Sequence, residues 1–250
     1  MLKDKVIIVT GTAGGLGRSM AIEFASQGAK VVINDVQEEG MKETEQMILD
    51  NGRTVKSILA DVSSKAEGEK IIDTAVKEFG TVDVIVNNAA LLADFKPSLG
   101  ISEEEWDRIM AVNLKGVYLM TNTALPLMLE KGAGTFINIC SIGGSIAGVG
   151  DAAYITAKHG VIGYTKQLAF NYANKGIRAV TLSPGLTDTP MVRYAIDAGR
   201  EEVMRQIEAT PAGNIGKAED VAYLAAFLAS DRARHINGVD YKIDGAQSVL

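Results

Sequence analysis

Seven short β-branched runs recur along the chain, and longer amphipathic stretches lie between them. The runs are KVIIVT (5–10), KVVIND (30–35), TVKSILA (54–60), VDVIVNN (82–88), GTFINICS (134–141), IRAVTLSP (177–184) and VDYKIDG (239–245). Most are continuously apolar, as strands of a sheet covered on both faces must be. Helices are expected at 16–27, 37–50, 65–79, 103–131, 152–174 and 217–229. Ser102 followed by Glu105 predicts a capping box at one start, and Gly28, Gly52, Gly80 and Gly132 stand where helices should stop. Repeated β-α-β units imply a parallel sheet with right-handed crossovers. The expected fold is therefore α/β, a doubly wound parallel seven-stranded sheet with helices on both faces. With no linker or break in composition, residues 1–250 read as a single domain. Only 186–216 interrupts the rhythm, and it is a candidate substrate loop.

Bulk properties narrow the function. A net charge of −6 argues against nucleic acid as a partner, which requires a basic face. The single cysteine, Cys140, permits no internal disulfide, and a reducing, cytoplasmic setting is expected. The apolar run at the N-terminus is too short for a signal peptide, and no membrane association is expected. One cysteine and two histidines offer no zinc spacing, so no metal is expected. Cys140 reads as a small buried hydrophobe and His159 as a helix-packing residue.

The first strand runs into TGTAGGLGRSMAIEF (10–24). Gly11 permits a tight turn, Gly15 lets backbone approach a ligand, and Gly17 allows close packing of the following helix. A pyrophosphate can then lie on the helix N-terminus, as in a Rossmann-type nucleotide site. The usual G-x-G-x-x-G spacing is absent, and a glycine-rich connection built for shape is the alternative. Asp35 ends the second strand, where a carboxylate can hold ribose hydroxyls and repel a 2′-phosphate. It can equally serve the start of the next helix. Gly14, Val36 and Gln37 offer no cation for a 2′-phosphate, so NAD is the expected cofactor. Asp61 lies near an adenine position or else belongs to the next helix's cap. Asn87-Asn88-Ala89-Ala90 ends the fourth strand, where ligands bind in open parallel sheets, although asparagine also favours turns.

Of seven tyrosines, only Tyr154 has a lysine four residues on, Lys158. On a helix the two share a face, and an ammonium there should lower the phenol's pKa toward working pH. Together, TGTAGGLG (10–17), NNAA (87–90), Asn113 in VNLKG, Ser141 in NICSIGG, YITAK (154–158) and SPGLTDTPM (183–191) resemble the short-chain dehydrogenase/reductase family, in order and spacing. The resemblance runs nearly end to end. Ala90 and Ala246 replace common glycines and Asn214 a common arginine.

The resemblance implies roles. Tyr154 is the general acid/base, Lys158 assists it and holds the nicotinamide ribose, and Ser141 bonds the substrate oxygen. Asn113 positions a water behind Lys158. Cofactor contacts are implied for Gly11, Gly15, Leu16, Gly17, Asp35, Asp61, Val62, Asn88, Ala89, Tyr154, Lys158, Pro184, Gly185, Leu186 and Thr189. A substrate wall is expected from Leu91, Leu92, Ile142, Val149, Met191, Tyr194 and residues of 195–210, residues that can equally be core. The expected activity is NAD-dependent interconversion of a secondary alcohol and its ketone, on a hydrophobic cyclic, aromatic or steroid-like small molecule. The alternatives are an NADPH-dependent carbonyl or 3-oxoacyl-carrier-protein reductase and a non-catalytic nucleotide-binding regulator. A homotetramer is expected from the same resemblance.

Overall fold

The computed structural model describes residues 1–91 and 95–249. Alternation along each strand explains the layering. In β1 (Val6–Thr10), β2 (Lys30–Asp35), β4 (Val84–Asn87), β5 (Gly134–Ile139) and β6 (Ile177–Pro184) nearly every residue is buried. Successive side chains point to opposite faces. Ile7, Val9, Val31, Ile33, Val86, Ile137 and Val180 enter one core cluster, while Val6, Ile8, Val32, Ile85, Phe136 and Ala179 enter the other. A sheet apolar on both sides needs a helical layer on each. The first face is covered by α1 (Gly15–Ser26), α2 (Glu38–Asp50) and α9 (Ala218–Ala229). The second is covered by α3 (Lys65–Phe79), α5 (Val117–Lys131) and α6 (Ala152–Tyr172). Phe24 and Phe136 are fully buried, one in each layer, and truncating either to alanine would cost about 3–5 kcal/mol.

With β3 (Val55–Leu59) and β9 (Asp240–Ile243) as edges, the strand order is β3-β2-β1-β4-β5-β6-β9, all parallel. The chain winds outward from β1 in one direction and from β4 in the other. Their carboxyl ends therefore flank a crevice that no crossover covers. All seven strands fall inside the seven expected runs. No described helix is long and apolar enough to cross a membrane.

Two stretches depart from expectation. The single helix expected over 103–131 is α4 (Glu103–Met110), a π-helical turn (Ala111–Gly116), and then α5. The capping box is present: Ser102 Oγ accepts from Glu105 N, and the Glu105 carboxylate accepts from Ser102 N. The π turn contains Asn113, whose side chain is taken by a neighbouring segment rather than by its own helix. The second departure is 186–216, which contains β7 (Thr187–Asp188), α7 (Pro190–Asp197), α8 (Glu201–Ala209) and ends in β8 (Gly216–Lys217). β7 and β8 pair in parallel, Thr187 with Gly216 and Asp188 with Lys217, so the excursion is closed at its base. Thr189 caps α7, and Pro190 fills its first position, where a missing N–H costs nothing.

After β9 the chain turns on Asp244, whose two oxygens accept from Ala246 N (3.1 Å) and Ser248 N (3.0 Å). This turn holds Ala246 at φ 68°, a left-handed conformation that its Cβ disfavours. Ala246 is exposed and its methyl packs no core. Ala246→Gly should therefore stabilise the protein by about 1 kcal/mol and raise Tm by about 2–4 °C. Thermal unfolding of the two proteins checks this, and an unchanged or lower Tm would show that the turn carries no strain.

Candidate active site

The glycine turn and the end of β4 are tied together. Asn88 Nδ2 donates to Thr10 O and Gly11 O (2.9 Å each), and Thr10 Oγ1 accepts from Asn88 N and Ala89 N (3.0 Å each). A Cβ on Gly17 would lie 2.0 Å from Gly11 O, and one on Gly11 would lie 2.7 Å from Ala89 Cα. Both positions need glycine on contact grounds alone. Gly17 thus packs against the turn itself rather than against a strand. The start of α1 has no side-chain cap and no acid in its first turn, so its backbone donors face the crevice without an internal acceptor. That is the donor set a pyrophosphate requires, and the residues present fit a dinucleotide.

Asp35 is held by this turn. Its Oδ2 accepts from Ala13 N (2.8 Å) and its Oδ1 from Gln37 N (2.9 Å). The N-cap of α2 is Gln37, not Asp35. Each carboxylate oxygen keeps a further lone pair for a ribose hydroxyl. The nearby Arg18 donates through Nε to Thr44 Oγ1 and through Nη2 to Ala13 O, Gly40 O and Glu43. Asp61 Oδ1 accepts from Ser63 N and Ser63 Oγ (2.8 Å each) in the turn leading to α3, whose N-cap is Ser64. Val62 is buried, and a Cβ on Gly116 would come within 3.0 Å of it.

Asn113 is 1% exposed. Its Oδ1 accepts from Leu91 N and its Nδ2 donates to Leu91 O, both at 2.7 Å. These two bonds fix the peptide that follows β4. Asn87 serves the sheet, donating to Asn138 Oδ1 (2.8 Å), which continues through Asn138 Nδ2 to Thr165 Oγ1 on α6.

Ser141 follows β5, and its Oγ accepts from Gly143 N (3.1 Å). Asp151 caps α6 by accepting from Tyr154 N (2.9 Å), which places Tyr154 in the first turn and Lys158 one turn later. Lys158 is 3% exposed, with Nζ donating to Ile139 O (2.9 Å) and lying 5.5 Å from the Tyr154 ring centroid. Burial pushes the Tyr154 phenol up to about 12, with the Ser141 hydrogen bond acting in the opposite direction. The expectation that Lys158 lowers the phenol's pKa is thus corrected for the cofactor-free protein. The ammonium sits over the ring face and spends a proton on Ile139 O, and the lost hydration of the phenolate outweighs it. Burial also lowers the Lys158 pKa. Cys140 is buried, with Sγ 3.2 Å from Lys158 O, and burial pushes its thiol up. His159 is exposed and its Nδ1 lies 3.0 Å from Ile155 O.

These groups open into a cleft of 290 Å³, near the small end of ligand pockets. Its walls include Leu16, Phe95, Ser141, Ile142, Val149, Tyr154, Pro184, Gly185, Leu186 and Thr189. The excursion adds Thr187, Val192, Tyr194, Arg200, Val203 and Gln206. The expected wall residues Ile142, Val149 and Tyr194 are there; Ile142 is buried, and Tyr194 is 68% exposed. Leu92 and the side chain of Met191 lie outside the described residues. Arg193 is ion-paired to Asp188 (2.5 Å). Gln247 Oε1 accepts from Leu186 N (3.4 Å), tying the C-terminal turn to the cleft wall. Phe95 was missed as a site residue; Val203 and Gln206 fall within the stretch 195–210 expected to supply part of the wall.

A family model described as enoyl-(acyl carrier protein) reductase matches residues 11–246. Levodione reductase of Leifsonia aquatica is 35% identical over 98% of this chain and 94% of its own length. The 3beta-hydroxysteroid dehydrogenase 2 of Eggerthella lenta is 36% identical over 99% of this chain and 96% of its own. A 3-oxoacyl-[acyl-carrier-protein] reductase of Thermotoga maritima is 33% identical over 98% of both. A crystal structure of a levodione reductase superposes with a TM-score of 0.95, at 34% identity over 100% of both chains. A structure from Agrobacterium tumefaciens with bound NADP superposes at 0.90, with 32% identity over 100% of this chain and 98% of that one.

Because burial raises the Tyr154 pKa, phenolate should be scarce in the cofactor-free protein until pH approaches 12. A phenolate absorbance titration of wild type against Tyr154→Phe measures this one residue. A difference appearing below about pH 9 would show that Lys158 outweighs burial after all.

Proposed function

We propose that this chain, which belongs to the short-chain dehydrogenase/reductase family, is an NAD-dependent oxidoreductase that interconverts a secondary alcohol and its ketone. The observation that carries this reading is the Ser141–Tyr154 hydroxyl pair on the wall of a mainly apolar cleft, with Lys158 buried beside it. Leu16, Phe95, Ile142, Val149, Val192 and Val203 favour a hydrophobic cyclic, aromatic or steroid-like substrate.

The residues divide the work. Gly11, Gly15, Leu16 and Gly17 hold the pyrophosphate side, Asp35 the adenosine ribose, and Asp61 with Val62 the adenine side. Asn88, Ala89, Pro184, Gly185, Leu186 and Thr189 border the nicotinamide side. NAD supplies the hydride acceptor and, when oxidised, a positive ring that favours the phenolate. In oxidation, the Tyr154 phenolate takes the alcohol proton while Ser141 donates to the substrate oxygen as its charge changes. In reduction, the Tyr154 phenol returns that proton. Lys158, held in place by Ile139 O, keeps a positive charge beside the phenol and offers its remaining donors to the ribose. Asn113 sets the backbone that approaches the substrate from β4.

NAD rather than NADP is supported by Asp35, whose carboxylate would repel a 2′-phosphate, and by Gly14, Val36 and Gln37, which offer no cation to one. The same two features disfavour an NADPH-dependent 3-oxoacyl reductase. Exposed Tyr118 and Leu127 on α5 and Phe170 on α6 support the expected self-association into a homotetramer.

The direct test is nicotinamide absorbance with NAD⁺ and NADP⁺ across cyclic, aromatic, steroid and sugar alcohols. A rate with NAD⁺ on a ring alcohol is the expected result, and a rate with NADP⁺ alone would overturn the reading of Asp35. Tyr154→Phe should retain NAD binding and lose about 10²–10⁴-fold in turnover, the usual contribution of a general acid/base. Since the phenolate is the scarce form, oxidation by wild type should accelerate as pH rises from 6 toward 10, and reduction should change far less over that range. Flat oxidation would remove Tyr154 as the base.

A further inference from the structure

Three buried side-chain atoms lack a hydrogen-bond partner among the described residues: Asn87 Oδ1, Asp151 Oδ2 and Gln206 Nε2. Asn87 lies inside the sheet, bonded to Asn138, and Asp151 is the cap of α6. Of the three, Gln206 is the one that lines the cleft containing Ser141 and Tyr154.

Helix geometry explains how it gets there. Arg200 caps α8, and Arg200, Val203 and Gln206, three residues apart, all line the cleft. Glu201, Glu202, Met204, Arg205 and Glu208 are exposed on the other side. Position 206 thus belongs to the inward stripe, where an aliphatic side chain would lose nothing on burial. An amide there gives up its water and is compensated only if something in the cleft accepts its hydrogen. The hydroxyls of Thr187, Thr189 and Ser141 on the same wall already have partners. Thr187 Oγ1 donates to Gly185 O, Thr189 Oγ1 accepts from Val192 N, and Ser141 meets both Gly143 N and Tyr154.

We propose that the substrate is a ring ketone, or its alcohol, carrying a second oxygen, and that this oxygen accepts a hydrogen bond from Gln206 Nε2. This rests on the cleft being the site of alcohol–ketone interconversion and narrows what it accepts. Ser141 and Tyr154 hold the reacting oxygen, and Gln206 holds a second one. Two polar attachments fix the ring's orientation, which apolar walls alone do poorly. They also supply selectivity: apolar pockets discriminate weakly between similar hydrocarbons, whereas a buried donor left unpaired rejects the analogue lacking its partner.

The test compares kcat/KM for cyclohexanone, 4-methylcyclohexanone and cyclohexane-1,4-dione, each with NADH and NADPH, in wild type and Gln206→Met. Methionine is close to glutamine in length and cannot donate. Wild type should prefer the dione to the methyl ketone by about tenfold or more, beyond the factor due to its two equivalent carbonyls. In Gln206→Met that ratio should fall to within about twofold of unity. Nicotinamide fluorescence on cofactor binding reports that the variant is folded, and the wild-type ratio is a test by itself. Turnover of the monoketones with no preference for the dione, or an equal ratio in the variant, overturns the second-oxygen assignment and leaves the proposed function standing. Turnover of none of the three overturns the ring-ketone reading and this inference with it.

Discussion

The close contact between the first βα turn and the end of β4 governs the rest of the molecule. Asn88 bonds two successive carbonyls of the turn, Thr10 returns two bonds from its hydroxyl, and Gly17 lets α1 sit against Gly11 O with no room for a Cβ. That clasp joins the strands at which the sheet changes winding direction. It fixes where α1 begins, and therefore where its unpaired N–H groups point. It also fixes the chain leaving β4, which Asn113 then holds through Leu91. From β5 and α6 come Ser141, Tyr154 and Lys158. Those elements are joined to β4 by the buried chain from Asn87 through Asn138 to Thr165. The nucleotide side and the chemical side thus share one polar scaffold beneath them.

The electrostatics of the site follow from the same burial. A lysine at 3% exposure would ordinarily be neutralised or paired with a carboxylate. Lys158 has a carbonyl, Ile139 O, and the face of Tyr154. Neither cancels its charge. The Tyr154 phenol, part-exposed on the cleft wall, is also pushed away from ionisation by the water it has lost. The apoprotein therefore holds two neighbouring groups each shifted toward its neutral form, an arrangement that a positive ligand ring and a ribose diol would relieve. Readiness for proton transfer in this site depends on what is bound, more than on the pair itself.

Much of this was legible in the sequence, and the missing parts share a cause. Continuous apolar runs located the five inner strands, because burial on both faces leaves no other composition available; the half-exposed edge strands β3 and β9 were legible from the recurring strand–helix rhythm. Tyr154 and Lys158 were legible as a pair because they lie one helical turn apart, and Ser141 through the family resemblance. The π turn at Ala111–Gly116 was not, because its partner, Leu91, is distant in sequence. The helices α7 and α8 were not, because each is short and amphipathic and gains its order from β7 pairing with β8. The direction of the Tyr154 shift was missed for a related reason. Sequence shows that a lysine is near, but the competing loss of water depends on everything packed around the ring. Asp35 was read for its charge, and the two backbone donors that orient it are visible only in three dimensions.

The closed base of the excursion separates two requirements that otherwise conflict. Hydride transfer needs atoms placed to a fraction of an ångström, and substrate choice benefits from walls that can change. Ser141, Tyr154 and Lys158 sit on β5 and α6, whose residues are tied into the sheet's core. Val192, Tyr194, Val203 and Gln206 sit on α7 and α8, outside that core except where β7 meets β8 and Thr189 meets the glycine turn. Substitutions on α8 can therefore redraw the cleft without moving the proton-transfer groups. Relatives of this chain named for levodione, a steroid alcohol and an acyl-carrier-protein substrate share its fold over nearly their whole lengths. Such diversity on one scaffold is what a fixed reaction centre facing a replaceable wall would produce, and in this chain that wall includes Gln206, whose Nε2 has no partner among the described residues.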